Sequence, residues 1–375
     1  MIADAGFGRW FLPGPSEVHP EVLAAMARPV IPPFGGEMAA LREQLRQPLR
    51  DLFRTSQEIV VAASSATGFM EAAIRSGVEE RVLVVISGGY GERFAAVAEA
   101  CGKDVVRVMV HPGRTLEPEH LAQFLDGPEV DAVALVHSET CTGALAPLSD
   151  LAPVIRARKD VMILVDAASS IGGCPVETEQ WGLDFVFAGS QKALALPPGL
   201  ALGAGSPRLL ARAKKLSGRG QYFDLVRLAD ASANQQPQAM PPLPQFFALA
   251  MQLGRIQHAG GIESRWRRHH DMLTLVEGWV LERPGLAMLA PEGRRSWTVS
   301  CLRLPVGLAS AAVVTGMQER GWIIGQGWGG LQDSTIRIGH MGESSVQQVG
   351  LMLDALDEVL RAVGDGPTPP SGPAV

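Results

Sequence analysis

Residues 162–173 read MILVDAASSIGG, and residues 184–206 read DFVFAGSQKALALPPGLALGAGS. Each stretch opens on a short run, MILV or FVFAG, that is apolar at every position. Strands with one wet face alternate apolar and polar residues, so these runs predict strands buried on both faces. Working outward, the same kind of run recurs between about residues 58 and 206 as EIVVAAS, RVLVVIS, DVVRVMV and DAVALVHS, with amphipathic segments such as ATGFMEAAIRSG and GERFAAVAEACG between them. The alternation predicts an α/β fold with a mostly parallel central sheet covered by helices on both sides. In such sheets ligands collect where strands end in loops, which directs attention to Asp166 and Lys192.

The remaining chain divides less sharply. The stretch from Gly218 to Pro244 is polar and broken by prolines, and reads as a long surface excursion without a core element. Helices are expected over Gln245–His258 and Ile262–Glu282, the second carrying ESRWRRHH as a solvated charged face. From about residue 284, SWTVSCLRL, a helix near Ala309–Arg320, TIRIGHMG and a helix over Ser344–Val363 suggest a small α+β domain. The expected organisation is an N-terminal arm (1–15), a large domain (16–258), a small C-terminal domain (259–364) and a disordered tail, GPTPPSGPAV with its preceding Asp, over 365–375.

Composition narrows the function. A hydrophobic content of 46% across 375 residues supports a large core. The net charge of -6 gives no broad basic field, which argues against nucleic-acid binding. No run reaches the roughly 18 apolar residues of a membrane span and the N-terminus has no basic leader, so a cytoplasmic protein without a membrane partner is expected. The four cysteines are widely spaced, without a CxxC pair, and no metal site is indicated.

The chain has five lysines: Lys103, Lys159, Lys192, Lys214 and Lys215. Four sit in charged or helix-end contexts and read as solvated. Lys192 lies between a buried strand and an apolar loop. Burial of an unpaired ammonium is costly, so it is paired, pKa-depressed or used covalently as a Schiff base. Asp166 ends a strand of the same kind, with a helical crossover expected between them, and the two are placed to face one ligand. Pyridoxal phosphate (PLP) needs this pair, a lysine to hold its aldehyde and a carboxylate to keep its ring nitrogen protonated.

With VDAASSIGG, GSQKALALPPG and TIRIGHMG in this order, the chain resembles the class V aminotransferases, PLP enzymes of fold type I, and within them the alanine–glyoxylate and serine–pyruvate branch. The resemblance extends from LPGPSEVHPEVLAAM near the N-terminus to TIRIGHMG. It implies that Lys192 and Asp166 are catalytic, Lys192 binding the cofactor and moving a proton on the substrate, Asp166 facing the pyridine nitrogen. It further implies cofactor contacts from Ser65, Ala66 and Thr67 at a helix N-terminus, from Tyr90 by ring stacking, and from Cys141, Thr142, Ala168 and Gln191. Arg337 is assigned to the substrate carboxylate, with Gly14 also at the substrate.

The motifs depart from the family in three places. Cys141 stands where relatives often have serine, with Thr142 as an alternative donor. Gln238, Ala239 and Met240 replace a Thr-Pro-type segment that reaches the neighbouring subunit's phosphate, and Pro33 and Phe34 replace a His-Arg-like pair. The activity implied is ping-pong transfer of an amino group from a small L-amino acid of alanine or serine type to a 2-oxo acid such as glyoxylate or pyruvate, by a homodimer. The alternatives are a PLP lyase such as a cysteine desulfurase, and a non-catalytic binding protein of the same fold.

Overall fold

A computed structural model describes residues 7–364. Seven strands form the large sheet in the order Ile59–Ala63, Leu200–Gly205, Phe185–Gly189, Met162–Asp166, Ala132–Val136, Arg81–Ile86 and Asp104–Met109. Leu200–Gly205 runs antiparallel to both its neighbours, and the other adjacent pairs are parallel. The expected α/β fold with a mostly parallel sheet is therefore present.

The apolar strands bury both faces as their composition requires. Along Arg81–Ile86, Leu83 and Val85 join one core layer with Leu121 and Ile155, while Val82, Val84 and Ile86 point into a second layer with Phe69, Ile74 and Phe94. This period-two split places helices against each side. A second sheet has five strands in the order Trp10–Phe11, Ile323–Gln326, Thr335–Ile338, Ser300–Arg303 and Ala287–Met288. Its core, including Phe11, Leu302, Ile336 and Ile338, packs against the helices Gly261–Leu281 and Val346–Gly364. The N-terminal strand Trp10–Phe11 pairs in parallel with Ile323–Ile324, so the chain that follows it is drawn toward the large sheet.

Three expectations are corrected. The connection from Asp166 to Phe185 contains no α-helix but a chain of turns, because Gly172, Gly173, Pro175 and Gly182 interrupt it. The proline-broken stretch 218–244 carries the helix Leu225–Ala233, whose first turn is capped by the Asp224 carboxylate accepting the Val226 N–H; Leu225 and Leu228 are buried beside the edge strand. The patch ESRWRRHH is not a solvated face: Arg265, Trp266 and His269 are buried, on the same stripe as Ile262, Met272 and Val276. The helices expected at 245–258, 262–282, 309–320 and 344–363 are found at Leu243–His258, Gly261–Leu281, Ser310–Glu319 and Val346–Gly364. The proposed tail over 365–375 lies outside the described residues, as do residues 1–6 of the arm.

Candidate active site

Asp166 and Lys192 follow from adjacent parallel strands, Met162–Asp166 and Phe185–Gly189, whose register sets Asp166 opposite Phe187. Beyond Gly189 the chain turns at Lys192, whose carbonyl accepts the Ala195 N–H at 2.8 Å, and returns as Leu200–Gly205. Lys192 is 6% exposed, whereas Lys159, Lys214 and Lys215 are exposed and Lys103 is partly so, its amine bonded to the Glu79 carbonyl at the surface. Its Nζ donates to the carbonyl of Pro13 at 2.5 Å and lies 5.5 Å from the centroid of the Tyr90 ring. Burial pushes the amine down to about 8, opposed by Asp166 and reinforced by the positive charge of Arg337.

Asp166 is buried, and its Oδ1 accepts the Ala168 N–H at 2.8 Å. Burial raises its carboxyl to about 6, against the pull of the Ala168 hydrogen bond and of Lys192. The carboxylate is thus neither fully compensated nor solvated, which suits a partner that brings a positive N–H.

The segment Pro13–Ser16 is laid across the lysine turn. Ser16 donates its backbone N–H to the Gln191 carbonyl at 2.9 Å and its hydroxyl to the Lys192 carbonyl at 2.7 Å. At Gly14, with φ of +125°, a β-carbon would lie 2.5 Å from Lys192 Nζ, so only glycine admits the amine there.

Tyr90 lies in the first turn of the helix Gly89–Ala100, with Arg93 stacked 5.1 Å from its ring centroid. The buried Glu139, which the motifs did not single out, anchors that helix end. Its Oε2 accepts the N–H groups of Tyr90 at 3.2 Å and Gly91 at 3.4 Å, and its Oε1 accepts Cys141 N–H at 3.0 Å. Burial raises its pKa despite these three bonds. Cys141 is buried and its thiol is pushed up to about 12 by burial and by Glu139. The Thr142 hydroxyl is buried without a hydrogen-bond partner among the described residues.

Arg337 lies on Thr335–Ile338, opposite Cys301 on one side and Gly325 on the other. Its Nε donates to the Gln326 carbonyl at 2.8 Å and its Nη1 reaches the Thr140 carbonyl at 3.5 Å, with no carboxylate partner among the described residues. Trp328, a second residue the motifs did not reveal, covers it at 5.8 Å between guanidinium and ring centroid. A β-carbon at Gly89 would lie 2.9 Å from the Trp328 indole nitrogen and 3.1 Å from Cys141 Sγ, so the two sheets' loops meet at a glycine.

The helix Ala66–Gly77 begins at Ser65, an exposed N-cap whose side chain makes no capping bond. The Ser64 N–H bonds the Gly199 carbonyl, and Ser190 N–H bonds the Leu200 carbonyl, so Ser65, Ala66, Thr67, Ser190 and Gln191 share one end of the sheet. The structure thereby brings Lys192, Asp166, Tyr90, Cys141, Arg337 and Gly14 together, and sets an open helix N-terminus, suited to a phosphate, at the same sheet end.

The donor set fits PLP: one buried amine near neutrality, a buried carboxylate with spare acceptor capacity, an aromatic ring beside the amine, an orphaned Thr142 hydroxyl and uncapped helix N–H groups. Residues 17–351 match the family described as aminotransferase class-V. The chain is 32% identical over 370 residues to an uncharacterized aminotransferase of Methanocaldococcus jannaschii, covering 97% of this chain and 95% of that one. Among solved structures, an aspartate aminotransferase of subgroup IV from Thermus thermophilus is 32% identical with a TM-score of 0.87, covering 94% of this chain and 99% of that one. An alanine–glyoxylate aminotransferase from Nostoc sp. is 29% identical with a TM-score of 0.88, covering 94% and 95%. The chain belongs to the class-V aminotransferases, and it is a PLP-dependent aminotransferase of fold type I.

Proposed function

We propose that Lys192 is the residue that binds PLP covalently and that the chain moves the amino group of a small L-amino acid, of alanine or serine type, to glyoxylate or pyruvate. The observation that carries this is the convergence on one buried amine, that of Lys192, of the Tyr90 ring and of the charges of Asp166 and Arg337. Asp166 would hold the proton on the pyridine nitrogen, Tyr90 would cover the ring, and Ser65, Ala66, Thr67 and Gln191 would take the phosphate. Thr142, with its unpartnered hydroxyl, supports the reading that it supplies the donor near Cys141 where relatives use serine; Ala168 sets the Asp166 carboxylate.

When bound, PLP supplies an electron sink that eases removal of a proton from the substrate's α-carbon. Lys192 Nζ, as a free amine, would take the proton from the substrate's α-carbon and carry it to the cofactor's C4′, a task for an amine whose pKa lies near the operating pH. Arg337 would hold the substrate carboxylate through its guanidinium, beside the Trp328 ring. Gly14 leaves the room in which the amine moves.

Exposed Met240, Phe34 and Tyr222 support a homodimer in which the neighbouring subunit covers the segment departing from the family's Thr-Pro pattern. Among the described residues no helix is long and apolar enough to cross a membrane. A cysteine-dependent lyase is disfavoured because Cys301 sits in a buried strand, and burial pushes its thiol to about 11.

The test is a pair of half-reactions. Alanine or serine added to the PLP-loaded protein should bleach its visible absorbance, and glyoxylate or pyruvate should restore it; a band that ignores both donors contradicts the substrate class.

A further inference from the structure

The arginine-rich stretch 263–270 turns inward to the residues that follow Lys192. Arg265 is 5% exposed; its Nη2 and Nε donate to the Ala193 carbonyl at 2.7 and 3.3 Å, and its Nη1 donates to Glu343 Oε1 at 2.9 Å. Gln252, fully buried on the neighbouring helix, sends one amide nitrogen to the Leu194 carbonyl at 2.9 Å and to Glu343 Oε1 at 2.8 Å. Burial raises the Glu343 carboxyl, but the Arg265 guanidinium and these hydrogen bonds outweigh it and hold the group down at about 2. The loop bearing Glu343 is fixed in turn by Arg268, whose Nη2 donates to the Gly342 carbonyl at 2.6 Å, and by His269, whose Nε2 accepts the Gly342 N–H at 3.0 Å.

The turn held in this way does not enforce its own shape. Ala195 adopts φ of +54°, a left-handed conformation in which an L side chain crowds the following carbonyl. Such a residue persists where surrounding contacts over-determine it. Here the contacts fall on the two peptide carbonyls between Lys192 and Ala195; they come from the helix residues Arg265 and Gln252, both of which are held by Glu343, six residues beyond Arg337.

We propose that Arg265, with Glu343 and Gln252, is a positioning residue for Lys192: a two-pronged guanidinium ties the lysine turn to the loop that follows the substrate-binding strand, and so fixes the amine relative to Arg337. This rests on the reading of Lys192 as the PLP-binding residue. The fork is essential, since a lysine in its place keeps the charge opposite Glu343 but cannot bridge both acceptors.

The experiment measures how fast cofactor-free protein captures PLP, read by visible absorbance and by borohydride trapping on the Lys192 peptide, alongside thermal midpoint, kcat and donor KM. Arg265→Lys should slow capture and lower kcat on the order of 10- to 100-fold, with donor KM unchanged because Arg337 is untouched. The double variant Arg265→Met/Glu343→Leu removes both charges of the buried pair while Arg255 keeps its partner Glu21, and it should show the same defect. Gln252→Met, which leaves the ion pair intact, should slow capture about fivefold, because the Leu194 carbonyl of the lysine turn loses its hydrogen bond. Variants that fold and capture PLP at the wild-type rate, or Arg265→Lys behaving as wild type, overturn the positioning role alone. Failure of the wild-type chain to capture PLP at Lys192 overturns the cofactor reading and this proposal with it.

Discussion

The Nζ atom of Lys192 sits between the carbonyl of Pro13, at 2.5 Å, and the ring of Tyr90, at 5.5 Å from its centroid. Three segments distant in sequence thus meet at one amine: the extended chain after Trp10–Phe11, the helix beginning at Gly89 and the turn after Phe185–Gly189. The small sheet places the first, Glu139 anchors the second, and the large sheet delivers the third.

The passage of the N-terminal segment over the lysine makes Gly14 a sensitive position. Gly14→Ala places a methyl 2.5 Å from Nζ, at a φ of +125° that alanine rarely adopts. It should cost about 1–3 kcal/mol in urea unfolding and displace the amine. An alanine variant with unchanged stability and unchanged borohydride labelling would mean that Pro13–Ser16 does not lie against the Lys192 amine.

Asp166 gives a pH-dependent test. Its carboxyl is raised from 3.8 to about 6 by burial, so below pH 3.8 it is protonated whether the chain is folded or not, and no cost arises. Between these values the folded chain binds more protons than the unfolded one, and stability falls as pH rises; above about 6 the buried anion costs up to about 3 kcal/mol. Cofactor-free Asp166→Asn should therefore melt higher than wild type at pH 7.5, with the advantage shrinking from pH 6 toward 4. The same variant should lose both half-reactions. Equal melting at all pH values would remove the burial argument.

Glu139 accepts three backbone N–H groups with no solvent to replace it. Glu139→Ala should destabilise the chain on the order of 3 kcal/mol, since buried donors lose their acceptor. Glu139→Gln retains a carbonyl oxygen and should lose less. The comparison by chemical denaturation separates capping from charge, because a charge role predicts equal losses.

For Arg337→Ala, kcat/KM for amino donors should fall on the order of 10- to 100-fold while PLP loading stays as in wild type. A parallel loss of bound PLP would assign the guanidinium to the cofactor instead of the substrate.

What was legible in the sequence was what short apolar runs and their terminal residues encode. MILVD and FVFAG announced strands buried on both faces, and the polar residues that close or follow them, Asp166 and Lys192, stood out because burial is unfavourable to them. Glu139 was hidden because HSETCTG reads as a loop, where a carboxylate is ordinary until tertiary packing shuts out water; Ser138–Glu139 in fact pairs with Ala144–Leu145. Trp328 belongs to the same class: its importance comes from meeting Gly89 across two sheets, a contact no local pattern contains. The misread patch at 263–270 did carry a signal, since Ile262, Trp266, His269 and Met272 recur at helical spacing, but its arginines masked the stripe. The helix Leu225–Ala233 was concealed by prolines on its far side and is short enough to depend on Leu225 and Leu228 docking.

The most direct test of the account is to load the full-length protein with PLP, reduce it with borohydride and map the labelled peptide. One modified residue, Lys192, is expected within the segment GSQKALALPPG, with no labelling of a Lys192→Ala variant. Label on Lys103, Lys159, Lys214 or Lys215, or a Lys192→Ala chain that still traps the cofactor, would contradict it.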